Sequence, residues 1–236
     1  MQDATMYTSR KEIKYIVPLT KAILIKNSLD SLLMRDSNCT EETYSVRSLY
    51  FDSVNNIDFS EKIAGVSHRK KIRIRIYDGD ASLCKLEIKE KHDDRQYKQS
   101  IEICAADVKA LTHGNYSVLK KYFHDTALGL KIYSIMEQGL YRPVVLVEYD
   151  RLAYRYPMYE TRITIDSNIR ASESNIDIFA SGINYNPVLY EDAVLEVKYS
   201  GKIMGFISEV LAQFHLTQGT YSKYCSGRSI YYDFNY

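Results

Sequence analysis

Arg69-Lys70-Lys71-Ile72-Arg73-Ile74-Arg75-Ile76-Tyr77-Asp78-Gly79-Asp80-Ala81-Ser82-Leu83-Cys84-Lys85-Leu86-Glu87-Ile88-Lys89-Glu90-Lys91 reads as two strands joined by a tight turn. Side chains along a strand alternate between its faces. Arg69, Lys71, Arg73 and Arg75 therefore share one face and Ile72, Ile74 and Ile76 the other. After the turn, Lys85, Glu87, Lys89 and Lys91 oppose Leu86 and Ile88 in the same way. Asp78-Gly79 suits a type I′ turn, because both residue types tolerate positive φ. The stretch predicts an antiparallel hairpin with one charged and one aliphatic face.

The pattern recurs outward from this hairpin. Arg10, Glu12 and Lys14 alternate near the start of the chain, and Lys98, Ser100 and Glu102 alternate against Ile101 and Ile103. Later come Arg162, Thr164 and Asp166 against Ile163 and Ile165, then Glu196 and Lys198 against Leu195 and Val197. Strands are predicted near 7–16, 44–52, 68–77, 82–91, 96–104, 143–155, 160–166 and 193–199, with further hairpin connections at His92-Asp93-Asp94 and Tyr156-Pro157-Met158. Helical periodicity predicts amphipathic helices over 20–34, 105–112, 116–125, 128–138 and 202–216, and 168–192 reads as loop. No linker, repeat or low-complexity tract divides the chain, so residues 1–236 are expected to form one domain.

A single charged strand face is ordinarily a wet one. Here, however, two neighbouring strands oppose like charges, which destabilises a sheet unless something neutralises them. The amphipathic helices also need apolar surface, and the isoleucine faces supply it. If helices cover those faces, the charges point inward, and about eight strands can close into a barrel. The expected fold is therefore α+β: a closed eight-stranded antiparallel barrel with a basic interior and helices outside. Its lining would hold Arg10, Lys14, Arg69, Lys71, Arg73, Arg75, Lys85, Lys89, Lys91, Lys98, Arg162 and Lys198 against Glu12, Glu87, Glu102, Asp166 and Glu196. Twelve cations less five carboxylates leaves +7 inside a chain whose net charge is +1. Such a lining calls for a compact polyanion, a phosphate chain, to share it. On this reading, replacing Arg73 and Arg75 relieves repulsion and leaves the fold intact.

Other chemistry is excluded more easily than it is found. The basic ladders carry no interleaved aromatics on which bases would stack, and the net charge is near zero, so nucleic acid is not an expected partner. There is no GxxxxGK[ST] and no GxGxxG before a helix. The five histidines show no metal-binding spacing. The four cysteines form no CxxC pair, so reduced thiols are expected. Carboxylate with phosphate oxygen is a usual magnesium or manganese environment, which gives one or two of the inward acids a possible task. No membrane span is read, and Met1-Gln2-Asp3-Ala4 lacks signal-peptide character, so a cytoplasmic location is expected.

Arg10-Lys11-Glu12-Ile13-Lys14-Tyr15, Ser48-Leu49-Tyr50-Phe51-Asp52, Lys71-Ile72-Arg73-Ile74-Arg75, Leu86-Glu87-Ile88-Lys89, Glu148-Tyr149-Asp150-Arg151, Arg162-Ile163-Thr164-Ile165-Asp166, Leu195-Glu196-Val197-Lys198 and Ser222-Lys223-Tyr224 follow one another along the chain. As a set these motifs resemble the VTC (vacuolar transporter chaperone) polyphosphate polymerase domain, a branch of the triphosphate tunnel metalloenzymes. The resemblance implies a tunnel in which the terminal phosphoryl group of ATP passes to inorganic polyphosphate with Mn2+ or Mg2+ present. It implies that Lys14, Arg73, Arg75, Lys89, Arg151, Arg162, Lys198 and Lys223 contact phosphates, that Tyr149 and Ser222 assist, and that Glu196 ligates the metal. Arg10, Lys71 and Lys91 are further candidate substrate contacts, with Lys91 the alternative to Lys89. The wider superfamily opens on Glu-x-Glu-x-Lys, and Arg10 stands at the first of those positions here. No SPX-like region or membrane segment is read, so any coupling to a membrane would run through a separate membrane-protein partner. The rival expectations are a tunnel-type triphosphatase or nucleoside triphosphatase, and a non-catalytic polyphosphate-binding module.

Overall fold

A computed structural model describes residues 10–37, 39, 42–93, 95–123 and 127–230, together with the backbone but not the side chain of Arg10. In chain order its elements are β1 (Arg10–Pro18), α1 (Leu19–Asp30), β2 (Met34–Arg35), β3 (Tyr44–Asp52), α2 (Ile57–Ile63), β4 (Arg69–Tyr77), β5 (Asp80–His92), β6 (Arg95–Ile103) and α3 (Ala105–Thr112). A 3-10 helix (Tyr116–Tyr122) leads to α4 (Ala127–Gly139) and β7 (Arg142–Tyr156). A shorter 3-10 turn (Met158–Glu160) leads to β8 (Thr161–Ser172), β9 (Asn186–Pro187), β10 (Asp192–Ser200), α5 (Gly205–Ala212) and α6 (Lys223–Ser229). The Asp78-Gly79 turn has the expected geometry, with φ of 48° and 70°.

The sheet runs β1-β10-β8-β7-β3-β4-β5-β6, with β2 paired to β7 and β9 to β8. It curls, but it does not close. Among the described residues β1 and β6 form no ladder, so the expected closed barrel is corrected to an open half-barrel. Part of the reason lies at the β1 edge, where the chain returns late in the sequence. Tyr15 bridges Gln218, and the Gly219 amide donates to the Lys14 carbonyl at 2.9 Å, so those edge positions already have a partner.

The two-faced strands pack as their alternation requires. Ile72, Ile74, Ile76, Leu86 and Ile88 are fully buried and face Val108, Leu111, Leu119, Ile132 and Met136 from α3, the 3-10 helix and α4. Ile163, Leu195 and Val197 are covered by Ile25 and Leu29 of α1 and by Ile207 and Leu211 of α5. Each fully buried side chain of this size contributes about 1.5–3 kcal/mol, which anchors the convex faces against the repulsion of the charged concave one. Among the described residues no helix is long and apolar enough to cross a membrane.

Several expected boundaries shift. The helix expected over 116–125 is a 3-10 helix ending at Tyr122, and residues 124 and 125 lie outside the described residues, as do positions 7–9 of the first expected strand and Asp94 of the hairpin between β5 and β6. The helix expected over 202–216 contracts to Gly205–Ala212. The stretch read as loop from 168 carries the end of β8 and the short β9.

α2 and α6 were not read from the sequence. Each spans seven residues, too few for a helical period to show. α6 fills one end of the concave side, where Tyr224 and Cys225 join Tyr50, Val145, Val147 and Ala171 in an inner apolar cluster. Its Gly227 permits the approach: a Cβ there would lie 3.1 Å from both Ala171 Cβ and Val147 Cγ2 and 3.3 Å from Val145 Cγ2.

Gly227→Leu should overpack this contact and cost about 1–3 kcal/mol. A thermal melt should show a lowered Tm, with Gly227→Ala falling between the two. An unchanged Tm for the leucine variant would mean that α6 is not packed against β7 and β8 in this way.

Candidate functional site

All eight strands of the curled path line one concave cavity of about 270 Å³. Its cations are Lys14 from β1, Lys71, Arg73 and Arg75 from β4, Lys89 from β5, Lys98 from β6, Arg151 from β7, Arg162 from β8, Lys198 from β10 and Lys223 from α6. A second lobe, also about 270 Å³, shares Glu12, Lys14, Lys71, Lys89, Tyr221 and Ser222 and reaches outward to Lys62, Arg69, Lys70 and Lys91. Thus Lys14, Arg73, Arg75, Lys89, Arg151, Arg162, Lys198, Lys223, Lys71, Tyr149, Ser222 and Glu196 all line the inner lobe, and Lys91 lines the outer one. The Arg10 side chain lies outside the described residues, and Lys85 lines neither lobe.

Carboxylates hold most of these cations in place. Glu87, fully buried, accepts from Arg73 Nε at 2.7 Å and lies 2.7 Å from its Nη2. Arg75 Nη1 lies 3.9 Å from that same Glu87 oxygen, and Lys98 pairs with the other one. Asp166, also fully buried, takes two bonds from Arg151, at 2.6 and 2.7 Å, and pairs with Lys223 at 2.6 Å. Glu196 lies 2.8 Å from Lys198, 3.4 Å from Lys14 and 3.6 Å from Lys223, while Glu12 lies 2.9 Å from Lys14. Arg162 pairs with the buried Asp36 at 2.9 Å and donates to the Tyr44 hydroxyl at 3.1 Å. Counting Glu87, Asp166 and Asp36 behind the wall with Glu12 and Glu196 in it, ten cations meet five carboxylates, an excess of five.

Burial pushes the Glu12 carboxyl up, but Lys198 and Lys14 outweigh it and hold it down at about 2. Glu196 is likewise held well below the usual carboxylate value, against burial, by Lys198, Lys14 and Lys223. These charge pairs change one expectation. Arg73 and Arg75 do not simply repel one another, because removing Arg73 would strip Glu87 of its two shortest guanidinium contacts and leave a buried carboxylate poorly compensated. Replacing both arginines therefore does not leave the fold untouched.

Lys71 and Lys89 differ from the other cations. They sit directly opposite each other across β4 and β5, and Lys89 is also opposite Lys98 on β6. Neither makes an ion pair with a described carboxylate; Lys71 Nζ instead donates to Ser222 Oγ at 2.8 Å. Burial, with Lys14, Lys62 and Arg73 adding to it, lowers the Lys71 amine to about 8. Burial, with Arg73 and Lys198 nearby, pushes Lys89 well below the ordinary lysine value.

The structure also brings in aromatics that alternation on the basic strands did not reveal. Tyr50, Tyr149, Tyr221 and Tyr224 line the inner lobe. Their rings are turned to the cations: Lys223 Nζ lies 4.7 Å and Arg151 5.1 Å from the Tyr149 ring, Arg73 lies 5.8 Å from Tyr50, and Lys71 5.8 Å from Tyr224. Burial would raise the Tyr149 phenol, but Arg151 and Arg75 bring it below its ordinary value. Tyr50 was legible in principle, since it shares strand parity with Ser48 and Val46. Tyr221 and Tyr224 lie just before and within α6, and periodicity does not place that segment inside the sheet, although the resemblance carried by Ser222-Lys223-Tyr224 brings its first residues to the site.

Among the described residues no group of three His, Cys, Asp or Glu side chains gathers to hold a metal by itself. Glu12 and Glu196 are nonetheless brought together by the lysines they share. Two hard oxygen ligands suit Mg2+ or Mn2+ when phosphate oxygens and water supply the rest. The donor set fits a metal carried in with a phosphate ligand better than a resident one.

The family model described as the VTC domain matches residues 9–232. No curated protein matches the chain. Among solved structures, a provisionally named adenylate cyclase from Bacillus halodurans is 13% identical, with a TM-score of 0.51 over 91% of this chain and 96% of that one. Another provisionally named adenylate cyclase, from Vibrio parahaemolyticus, is 13% identical with a TM-score of 0.48 over 91% and 95% of the two chains. At this identity the likeness to the Bacillus protein is one of fold.

The Lys71 amine gives the site a pH signature. Because the folded value of about 8 lies below the ordinary 10.5, the ligand-free protein gains stability as pH rises through that interval. An anion that needs the ammonium form is bound with proton uptake there. Inorganic triphosphate should therefore raise Tm more at pH 7 than at pH 9. Lys71→Arg keeps its charge throughout and should shrink the difference, leaving the share that Lys89 and the phosphate itself contribute. Identical profiles for the two proteins would take Lys71 out of the anion site.

Proposed function

Since this chain belongs to the VTC domain family, we propose that it is an ATP-dependent polyphosphate polymerase. It would act as one domain, transferring the γ-phosphoryl group of ATP to inorganic polyphosphate. The observation that supports this most is the pair of connected basic lobes: a single triphosphate needs one cluster of cations, whereas in-line transfer between chains needs a second to hold the acceptor.

Phosphoryl transfer asks for positioning and charge neutralisation more than for a covalent nucleophile. Arg73, Arg75, Arg151 and Arg162 would supply fixed guanidinium forks to the phosphate oxygens, with Lys14, Lys89, Lys198 and Lys223 as point charges between them. Tyr149 and Ser222 would contribute hydroxyls at the wall, and Lys71, Lys91 and Arg10 further charge along the chain's path. The acceptor phosphate is anionic at neutral pH, so no histidine base is needed. Glu196, with Glu12, would hold Mn2+ or Mg2+, an ion that offsets charge on the transferring group when bound.

Purified protein with ATP and Mn2+ should form ADP and an acid-insoluble phosphate polymer, with little orthophosphate. Orthophosphate released in proportion to ADP, with no polymer even when primer chains are added, would replace this reading with that of a hydrolase. Neither product, together with tight polyphosphate binding, would leave a binding module.

Lys89→Met is the cleaner probe of the anion site, because it removes a cation that makes no ion pair with a described carboxylate. Triphosphate affinity should fall about tenfold or more, the scale of one charge-assisted contact. Tm without ligand should hold or rise. A drop in Tm with affinity unchanged would show Lys89 to be structural.

A further inference from the structure

Glu87 is an acid set directly against the basic wall, at hydrogen-bond distance from one of its arginines. Its side chain is fully buried behind the inner lobe rather than lining it. One oxygen takes both the Nε and Nη2 edges of Arg73, at 2.7 Å each, and faces Arg75 Nη1 at 3.9 Å; the other takes Lys98 from the edge strand β6. Arg73 Nη1 donates to the Tyr50 hydroxyl at 3.1 Å. Of the five guanidinium hydrogens, three are thereby committed to fixed partners, and one on each terminal nitrogen is left for the cavity.

Resting on the polymerase reading above, the geometry points to Glu87 as a positioning residue and internal counter-anion. It aims Arg73 at the transferring phosphate, and its negative charge keeps the cations of β4 and β6 from holding phosphate too tightly to release it. Three features carry this. The carboxylate makes side-on contact with Arg73, which fixes the plane of the fork rather than only its charge. It draws on three strands, β4, β5 and β6, so its loss would loosen the free edge of the sheet on the catalytic side. It also remains ionised: burial pushes the Glu87 carboxyl up, but Arg73, Arg75 and Lys98 hold it well below the usual carboxylate value, so the counter-charge is present at all working pH.

Glu87→Gln keeps the shape and one acceptor oxygen but deletes the charge, and Glu87→Asp keeps the charge but shortens the reach. Inorganic triphosphate binding is read by calorimetry and turnover by ADP release from ATP with Mn2+. For Glu87→Gln, triphosphate should bind about fivefold tighter, because one nearby like-signed charge is gone. Its kcat should fall about tenfold or more, because the fork is no longer held in plane and product leaves slowly. For Glu87→Asp, affinity should return to that of the parent while kcat stays low. Affinity and kcat falling together, or both standing unchanged in Glu87→Gln, would overturn the inference.

Should Glu87→Gln fail to fold, Glu87→Gln with Lys98→Met restores the charge balance and should show parental affinity with low kcat; parental kcat in that double variant would overturn the inference too. The calorimetric arm needs no polymer, and ADP release registers transfer to water as well as to phosphate. A wild-type protein that makes only orthophosphate therefore refutes the polymerase while leaving the Glu87 test intact.

Discussion

Mutual repulsion among cations on the concave face is the constraint under which the rest of this structure is built. Lys71, Lys89 and Lys98 stand in a row across β4, β5 and β6, at positions where directly opposed like charges weaken a sheet. Two things offset that cost. On the convex side, Ile72, Ile74, Leu86 and Ile88 lie under α3 and α4, so those strands cannot turn over without exposing a whole aliphatic face. On the concave side, Glu87 and Asp166 are buried among the cations, each compensating more than one. The price of placing a carboxylate there is its desolvation, which only several close cations can outweigh.

This arrangement separates two kinds of cation. Arg73, Arg151, Lys198 and Lys223 are held by carboxylates within 3 Å and have little freedom to relax, so their remaining donors point where the backbone and the counter-ion aim them. Lys71 and Lys89 have no such anchor and bear the cost of burial as a lowered amine pKa. The first group supplies geometry without ligand. The second supplies attraction that is satisfied only when an anion arrives, and Ser222 holds Lys71 in the meantime.

Much of this was legible in the sequence because a strand's period of two assigns faces without knowledge of the fold. The charged parity of 69–75 and 85–91 gave the inner wall, the isoleucine parity gave the helix-covered surface, and Asp78-Gly79 gave the hairpin. Parity says which face a residue occupies but not how far a sheet curls. Closure depended on whether the outer edge of β1 was free, and Gln218 and Gly219, two hundred residues later, take part of it. Pairings such as Arg73 with Glu87 follow from one hairpin and could be foreseen. Those of Lys71 with Ser222, or of Lys223 with Asp166, depend on α6 entering the concavity, and a seven-residue helix around Gly227 leaves no periodic trace.

The position of α6 also explains why an open sheet can still enclose a site. A curled sheet without a closing ladder would ordinarily leave its concave face to water, where a lysine beside a phosphate is worth little. Here the chain runs along β1 through Gln218 and Gly219, Lys14 donates to the Tyr221 carbonyl, and Ser222 reaches Lys71 on the far side of the curl. The segment spans the concavity from one wall to the other and delivers Lys223 to Asp166 and Tyr224 to Tyr50. Enclosure that a closed barrel would obtain from strand pairing is obtained in part from this crossing. The same few residues that exclude solvent then also complete the cation set, so burial of the site and assembly of its charges depend on one another.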